Sequence, residues 1–188
     1  MLRDGFETHS LSFLACYKGQ PAGTLRLTPL HLGSPLLRLF NTRVPTDPTA
    51  TAELGRFAVM PAFRKQGRLV TAGLTAAMFL ASVRLGIRWW VGYTPEGLLR
   101  SFSQVFDARP LAQPSPDSEH LQARSSMPGY FERYEHQLVC FHAPVASASP
   151  AGWLKRMPGQ LLHRLRRALA EPEGGKFRPV LSAPARGS

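Results

Sequence analysis

Cysteine is scarce: Cys16 and Cys140 are the only two in 188 residues. They stand far apart and in no paired spacing, so neither a disulfide framework nor a cysteine-rich metal site is indicated. Both are expected as buried or half-buried thiols in a reducing compartment. Long apolar runs are missing as well. Residues 1–10 carry Arg3, Asp4 and Glu7, and no stretch approaches the ~18 apolar residues that span a bilayer. Neither a secretory signal nor a transmembrane anchor is supported, and a cytoplasmic protein is expected. His9, His31, His120, His136, His142 and His163 show no HExxH-like ligand spacing, so no metal is expected.

Acidic residues are also few, 12 against 23 Lys and Arg, for a formal net charge of +11. The excess is uneven. Residues 151–188 hold 8 basic and 2 acidic residues, so this tail carries +6 of the +11. Such a balance suits anionic partners: a phosphate-bearing cofactor, an acidic carrier protein, nucleic acid or an anionic membrane. Nucleic acid rests on charge alone, without a base-reading motif or an aromatic-interleaved basic run, and is the weakest of these.

The length accommodates one domain of about 150 residues, enough to bury roughly two-thirds of its unfolded surface, with an appendage behind it. Apolar runs at Leu11–Cys16 and Gly23–Leu27 flank Lys18-Gly19-Gln20-Pro21 and predict an antiparallel hairpin. Residues 28–52, with Pro29, Pro35, Pro45 and Pro48, read as a long loop or lid with at most one short helical turn. Phe57–Met60 reads as a strand stopped by Pro61. Between Arg68 and Leu85 the residues Leu69, Ala72, Gly73, Ala76, Phe79, Leu80 and Val83 recur at helical spacing. A strand follows at Ile87–Tyr93. Thr94-Pro95-Glu96 predicts a helix start, with Thr94 as N-cap and Pro95 first in the helix, continued by Leu98, Leu99, Phe102 and Val105. Asp117–Arg124 is a polar insert, and Tyr130–Phe141 a final strand pair or long strand.

The expected organisation is therefore a domain over 1–143, a linker over 144–159, a basic amphipathic helix over 160–170 and a disordered tail over 171–188. On a helical wheel Leu161, Leu162, Leu165, Ala168 and Leu169 fall within about a third of the circle, with His163, Arg166 and Arg167 opposite. This segment, with Lys155 and Arg164 beside it, is a candidate for docking on its own domain, on an anionic membrane surface or on an acyl carrier protein.

Val59-Met60-Pro61-Ala62-Phe63-Arg64-Lys65-Gln66-Gly67-Arg68 ends a strand, passes a basic loop and opens a long helix. Main-chain N–H groups and the helix dipole favour phosphate at such a start, and Arg64, Lys65 and Arg68 add full positive charge. The alternative is an ordinary strand-to-helix turn whose cations face water.

Arg64-x-x-Gly67 after Val59-x-Pro61 resembles the acyl-donor loop of the GNAT superfamily. Gly23-Thr24-Leu25-Arg26-Leu27 is similar to that family's second and third strands, and Thr94-Pro95 followed by Val105-Phe106 to its fourth helix and the segment closing it. The resemblance covers about residues 11 to 111 and implies an α/β (α+β) fold, a central mixed sheet flanked by helices. It also implies that backbone amides from Gln66, Gly67 and Arg68 hold the pyrophosphate of coenzyme A or the phosphopantetheine of a carrier protein. Leu69 stands where the loop's second small residue is expected, and Ser101-Phe102 where a tyrosine general acid is common. Glu53-Leu54-Gly55-Arg56-Phe57 resembles the Glu-x-x-Arg-Phe segment of the acyl-carrier-dependent branch: autoinducer synthases, ornithine-lipid acyltransferases and long-chain N-acyl amino acid synthases. A full GNAT fold has a strand and two helices ahead of the hairpin, where about ten residues stand here.

The resemblance implies an N-acyltransferase moving a long-chain acyl group from an acyl-carrier-protein or CoA thioester to an amine acceptor such as an amino acid. The alternatives are an acetyl-CoA-dependent N-acetyltransferase and an inactive GNAT-like module that docks to membrane or nucleic acid through its basic tail. Transfer to an amine needs a base, for which Glu53 is the candidate, its other role being an ion pair with Arg56. Arg56 would orient Glu53 or bind the acceptor's carboxylate. Main-chain groups near Ala58 and Val59 would stabilise the tetrahedral intermediate. Trp89, Trp90 and Phe102 are candidates to line an acyl pocket or simply to fill the core.

Overall fold

The hairpin forms around a two-residue turn. In the computed structural model, which describes residues 5–112, 119, 120, 122 and 138–148, strand β1 (Leu11–Tyr17) pairs antiparallel with β2 (Gln20–Pro29). Lys18 and Gly19 between them have φ of 48° and 79°, the pair of positive values whose twist matches that of the flanking strands. Gln20 and Pro21, expected in the turn, belong to β2.

Residues 30–50 depart from the expected loop with at most one helical turn. They form helix α1 (Pro35–Leu39) and two 3₁₀ turns, Leu30–Leu32 and Pro48–Ala50. Ser34 caps α1, its Oγ accepting the Leu37 N–H at 3.3 Å, and Pro35 supplies the first helical residue. The segment is held down because Leu30, Leu36, Leu39 and Phe40 pack with Val91, Leu138 and Cys140 in a core of their own.

Strand β3 (Thr51–Val59) is more than twice the length expected from Phe57–Met60, since it also takes in Glu53 and Gly55. A 3₁₀ turn at Pro61–Gln66 leads into α2 (Gly67–Arg84), and β4 (Trp89–Pro95) follows. The third helix, α3 (Glu96–Phe106), starts one residue later than expected: Thr94 still belongs to β4, and Pro95 occupies the N-cap without a side-chain cap. A short strand that the sequence did not suggest, β5 (Arg109–Pro110), pairs with β6 (Leu138–Pro144). Residues 130–137, most of the polar insert and the basic segment at 160–170 lie outside the described residues. Val145, Ser147 and Ala148 are buried in a 3₁₀ turn after β6, so the folded unit runs past residue 143.

The sheet order is β1-β2-β3-β4-β6-β5. Among the described residues only β3 and β4 pair in parallel; the other neighbours are antiparallel. One face carries Phe13, Leu25, Leu27, Ala52, Trp90 and Phe141, buried against α2 and α3 in the main core. On the opposite face the α1 segment packs over Val91, Leu138 and Cys140, while Ser12 and Leu14 of β1 stay exposed. Among the described residues no helix is long and apolar enough to cross a membrane.

The packing of α2 on β2 depends on Gly23, where a Cβ would stand 2.6 Å from Val70 Cγ1 and 2.8 Å from the Ala58 carbonyl oxygen. The carbonyl is part of the sheet and cannot turn away. Gly23→Ala is therefore expected to lower unfolding free energy by about 1–3 kcal/mol, the range for overpacked sites, measured by urea denaturation with an unchanged m-value.

Candidate active site

Strands β3 and β4 run together and then part. Their parallel register extends from Thr51↔Trp89 to Leu54↔Gly92 and stops. Beyond it β3 stays on β2 as far as Val59, and β4 stays on β6 as far as Pro95. A bulge accompanies the separation: β3 places two residues, Arg56 and Phe57, opposite the single Leu25, and Arg56 takes a φ of 51°. Gly92 sits at the last shared position, where a Cβ would lie 3.0 Å from the Leu54 carbonyl and 2.9 Å from Phe141 Cζ.

The gap has a donor on its edge. The Met60 N–H bonds to the Ala22 carbonyl at 2.8 Å, towards β2. Because antiparallel backbone alternates, the Val59 N–H points the other way, to the gap, while that of Ala58 points to β2. One side of the gap is aromatic. Phe57 from β3 meets Phe102 of α3 at a ring distance of 6.0 Å, and Phe102 lies 5.8 Å from Phe141 and 5.3 Å from Phe106.

Glu53 lies on the other face, just before the separation. Register places it opposite Thr28, and Arg26 opposite Gly55; opposed residues share a face. Arg26 is 3 % exposed and Glu53 1 %. Both side chains lie beside Gly55, where a Cβ would be 3.6 Å from Glu53 Oε1 and 3.8 Å from Arg26 Nε, in ordinary contact with each. Glu53 Oε2 accepts the Leu36 N–H of α1 at 2.8 Å, which joins the carboxylate to the segment covering it. Ser10 Oγ donates to the Phe6 carbonyl at 2.6 Å and receives the Thr28 hydroxyl at 2.8 Å. A buried cation, a carboxylate and hydroxyls thus form one polar layer, in which Glu53 Oε2 and the two hydroxyls are hydrogen-bonded while Glu53 Oε1 and Arg26 Nε have no hydrogen-bond partner among the described residues.

Arg56 points to the surface and pairs with Glu7 at 3.2 Å. Arg64, Lys65 and Arg68 are exposed on the turn and first residues of α2, with Gln66 and Gly67 half-buried between them. Trp90 is fully buried and donates to Ser82 Oγ of α2 at 2.9 Å, a core position in the sheet. Trp89 lies at the opposite end of the shared β3–β4 register from the gap, stacked on His142 at 5.8 Å. Phe102 is the aromatic of the three that borders the gap. Arg26, Thr28, Gly92 and the Leu36 N–H were not singled out from sequence. Arg26 between Leu25 and Leu27 reads as the wet side of an alternating strand. The signal that it is covered was the apolar set Leu30, Leu36, Leu39 and Phe40, which needs a surface to pack on.

No family model matches the chain, and no curated protein matches it. Solved structures do. The CoA-dependent acyl-homoserine lactone synthase MesI superposes with a TM-score of 0.56 at 17 % identity, over 82 % of this chain and 70 % of that one. TofI in an apo form gives 0.57 at 19 %, over 81 % and 78 %. The CoA-dependent acyl-homoserine lactone synthase BjaI, solved with SAM and isopentyl-CoA, gives 0.53 at 18 %, over 90 % and 69 %. At these identities the likeness shows the fold: a GNAT-like mixed sheet flanked by helices, the fold of the acyl-homoserine lactone synthases.

His142 gives a pH prediction that is independent of the gap. Burial chiefly, and the nearby Arg109 secondarily, hold its pKa below the ordinary 6.5, with Asp107 opposing. The unfolded chain therefore binds this proton more readily than the folded one, and stability rises with pH through the interval just below 6.5. Melting temperature is expected to fall on acidification through that interval, and His142→Gln to flatten the slope there.

Proposed function

We propose that this protein is an N-acyltransferase that carries a long-chain acyl group from an acyl-carrier-protein or CoA thioester to an amine bearing a carboxylate. The observation that carries the reading is the parting of β3 and β4, with the Val59 N–H turned to the gap, an aromatic side and a buried glutamate beside it. The fold shared with CoA-dependent acyl-homoserine lactone synthases supports the same reading.

The donor's phosphates lie at the start of α2, attracted by its main-chain N–H groups and by Arg64, Lys65 and Arg68. The thioester arm runs into the gap, the alkyl chain against Phe57 and Phe102, and the carbonyl oxygen towards the Val59 N–H. The amine nitrogen bonds to the thioester carbon and the C–S bond breaks. The sulfur leaves as a thiolate, a group stable enough near neutral pH to depart without a tyrosine acid. The amine's proton passes through a water to Glu53, reached past Gly55, where no side chain stands in the way. Arg56 leaves Glu7 to take the acceptor's carboxylate, since Glu7 already shows that it binds one.

A second reading is favoured by one observation, the bond from Leu36 N–H to Glu53 Oε2. There the carboxylate only fixes α1 to the sheet, and the chain is an inactive GNAT-like binding module.

The assay incubates the purified protein with acyl-carrier-protein and CoA thioesters of several lengths and pooled amino acids, and reads N-acyl products by mass spectrometry. Glu53→Gln keeps an oxygen for Leu36 N–H but neither a basic carboxylate nor a counter-charge for buried Arg26, so kcat of the folded variant is expected to fall by about 10²–10⁴ and the melting temperature to fall as well. Full activity of this variant would assign Glu53 to structure. Replacing Arg64 and Lys65 together by Ala is expected to raise the donor KM about tenfold or more. Unchanged KM would remove the α2 start from the donor site.

A further inference from the structure

Helix α2 has no charged face, and its hydroxyl residues Thr75 and Ser82 are buried on the inner side. It has no charged residue between Arg68 and Arg84, and its inner face buries Val70, Leu74 and Met78. Its outer face leaves Ala76, Leu80 and Val83 exposed, Leu80 at 55 % and Val83 at 57 %, with Leu85 at 51 % just past the helix. A helix without a polar face is normally covered on both sides.

The chain leaves the described domain against this helix. After β6 the turn Val145–Ala148 packs on α2, and the Val145 N–H donates to the Arg88 carbonyl at 2.9 Å, close beyond the helix end at Arg84. Residues 149–159 can span at most about 40 Å, and α2 is about 27 Å long. Residues 160–170 therefore reach every part of its outer face. They carry the stripe Leu161, Leu162, Leu165, Ala168 and Leu169, and a helix of this length does not persist alone in water.

We propose that residues 160–170 pack as a helix along the outer face of α2, their leucine stripe on Ala76, Leu80 and Val83. His163, Arg166 and Arg167 then face water. The short tether gives this contact an effective concentration in the millimolar range. A second copy is disfavoured by the net charge of +11, which repels like chains. A bilayer is disfavoured by Gly73, Ala76 and Ala77, which make the middle of α2 low, suited to a second helix rather than to insertion among lipids.

The test uses the full chain with p-benzoylphenylalanine at position 80, and separately Leu80→Asp with Val83→Asp. Irradiation is expected to give an adduct within one chain to the 160–170 peptide. Hydrogen exchange of 160–170 is expected to run about tenfold or more slower than in the free peptide, and to return to the peptide rate in the double variant with circular dichroism retained. The proposal is overturned by adducts joining two chains, by peptide-like exchange in the unaltered protein, by protection that survives the double variant, or by protection that needs anionic vesicles.

Discussion

The pairing of β3 with β4 lasts for only four residues, Thr51 to Leu54 on one strand and Trp89 to Gly92 on the other. Each strand then keeps its outer neighbour and loses its inner one. The divergence is fixed from both sides. The bulge at Arg56 and Phe57 turns β3, while Gly92 lets Phe141 and the Leu54 carbonyl approach at the last shared position. Main-chain groups on the inner edges would otherwise need a sheet partner. On the proposed function, a donor whose arm carries amide groups would satisfy them, and the gap would be a binding feature and not simply a defect.

The two faces of the sheet divide the work. On the α2 and α3 side the residues are apolar and aromatic, from Leu25 to Phe141, surroundings that on the proposed function would receive an alkyl chain. On the α1 side Arg26, Thr28 and Glu53 are buried together. Such a layer gives little net stability, because desolvation offsets much of the charge attraction. Its consequence is placement: the carboxylate is held by the Leu36 N–H and flanked by Gly55, so its position relative to the gap is set by main chain. The same bond ties the 30–50 segment to the sheet, making α1 part of the site and not a cover that drifts over it.

Much of this was legible in the sequence where local chemistry decides the outcome. Lys18-Gly19 marks the hairpin and the spacing from Leu69 to Val83 marks α2, while Glu53, Arg64 and Gly67 were singled out through their resemblance to GNAT segments and stand as a proposal. What escaped was set by partners distant in sequence. The first part of β3 escaped because the expected loop ran to residue 52 and the expected strand began at Phe57; Glu53 is a strand residue through its pairing with β2 and β4, and Gly55 through its pairing with β2. Arg26 reads as exposed until α1 is seen above it. The start of α3 was misjudged by a residue because β6 pairs with Thr94 and Pro95 and keeps them in the sheet. Trp90 joins the core through Ser82, a hydroxyl with no sequence cue.

The central claim is that an acyl thioester enters between β3 and β4 with its head group at the start of α2. Amide nitrogen and proton shifts, followed while a non-reactive long-chain acyl-CoA ether is titrated in, test it most directly. The account predicts saturable shifts at Val59, Gly67 and Arg68, with smaller ones at Gly92 and near Phe102. Saturable shifts confined to other parts of the sheet, or none up to millimolar ligand, would contradict it.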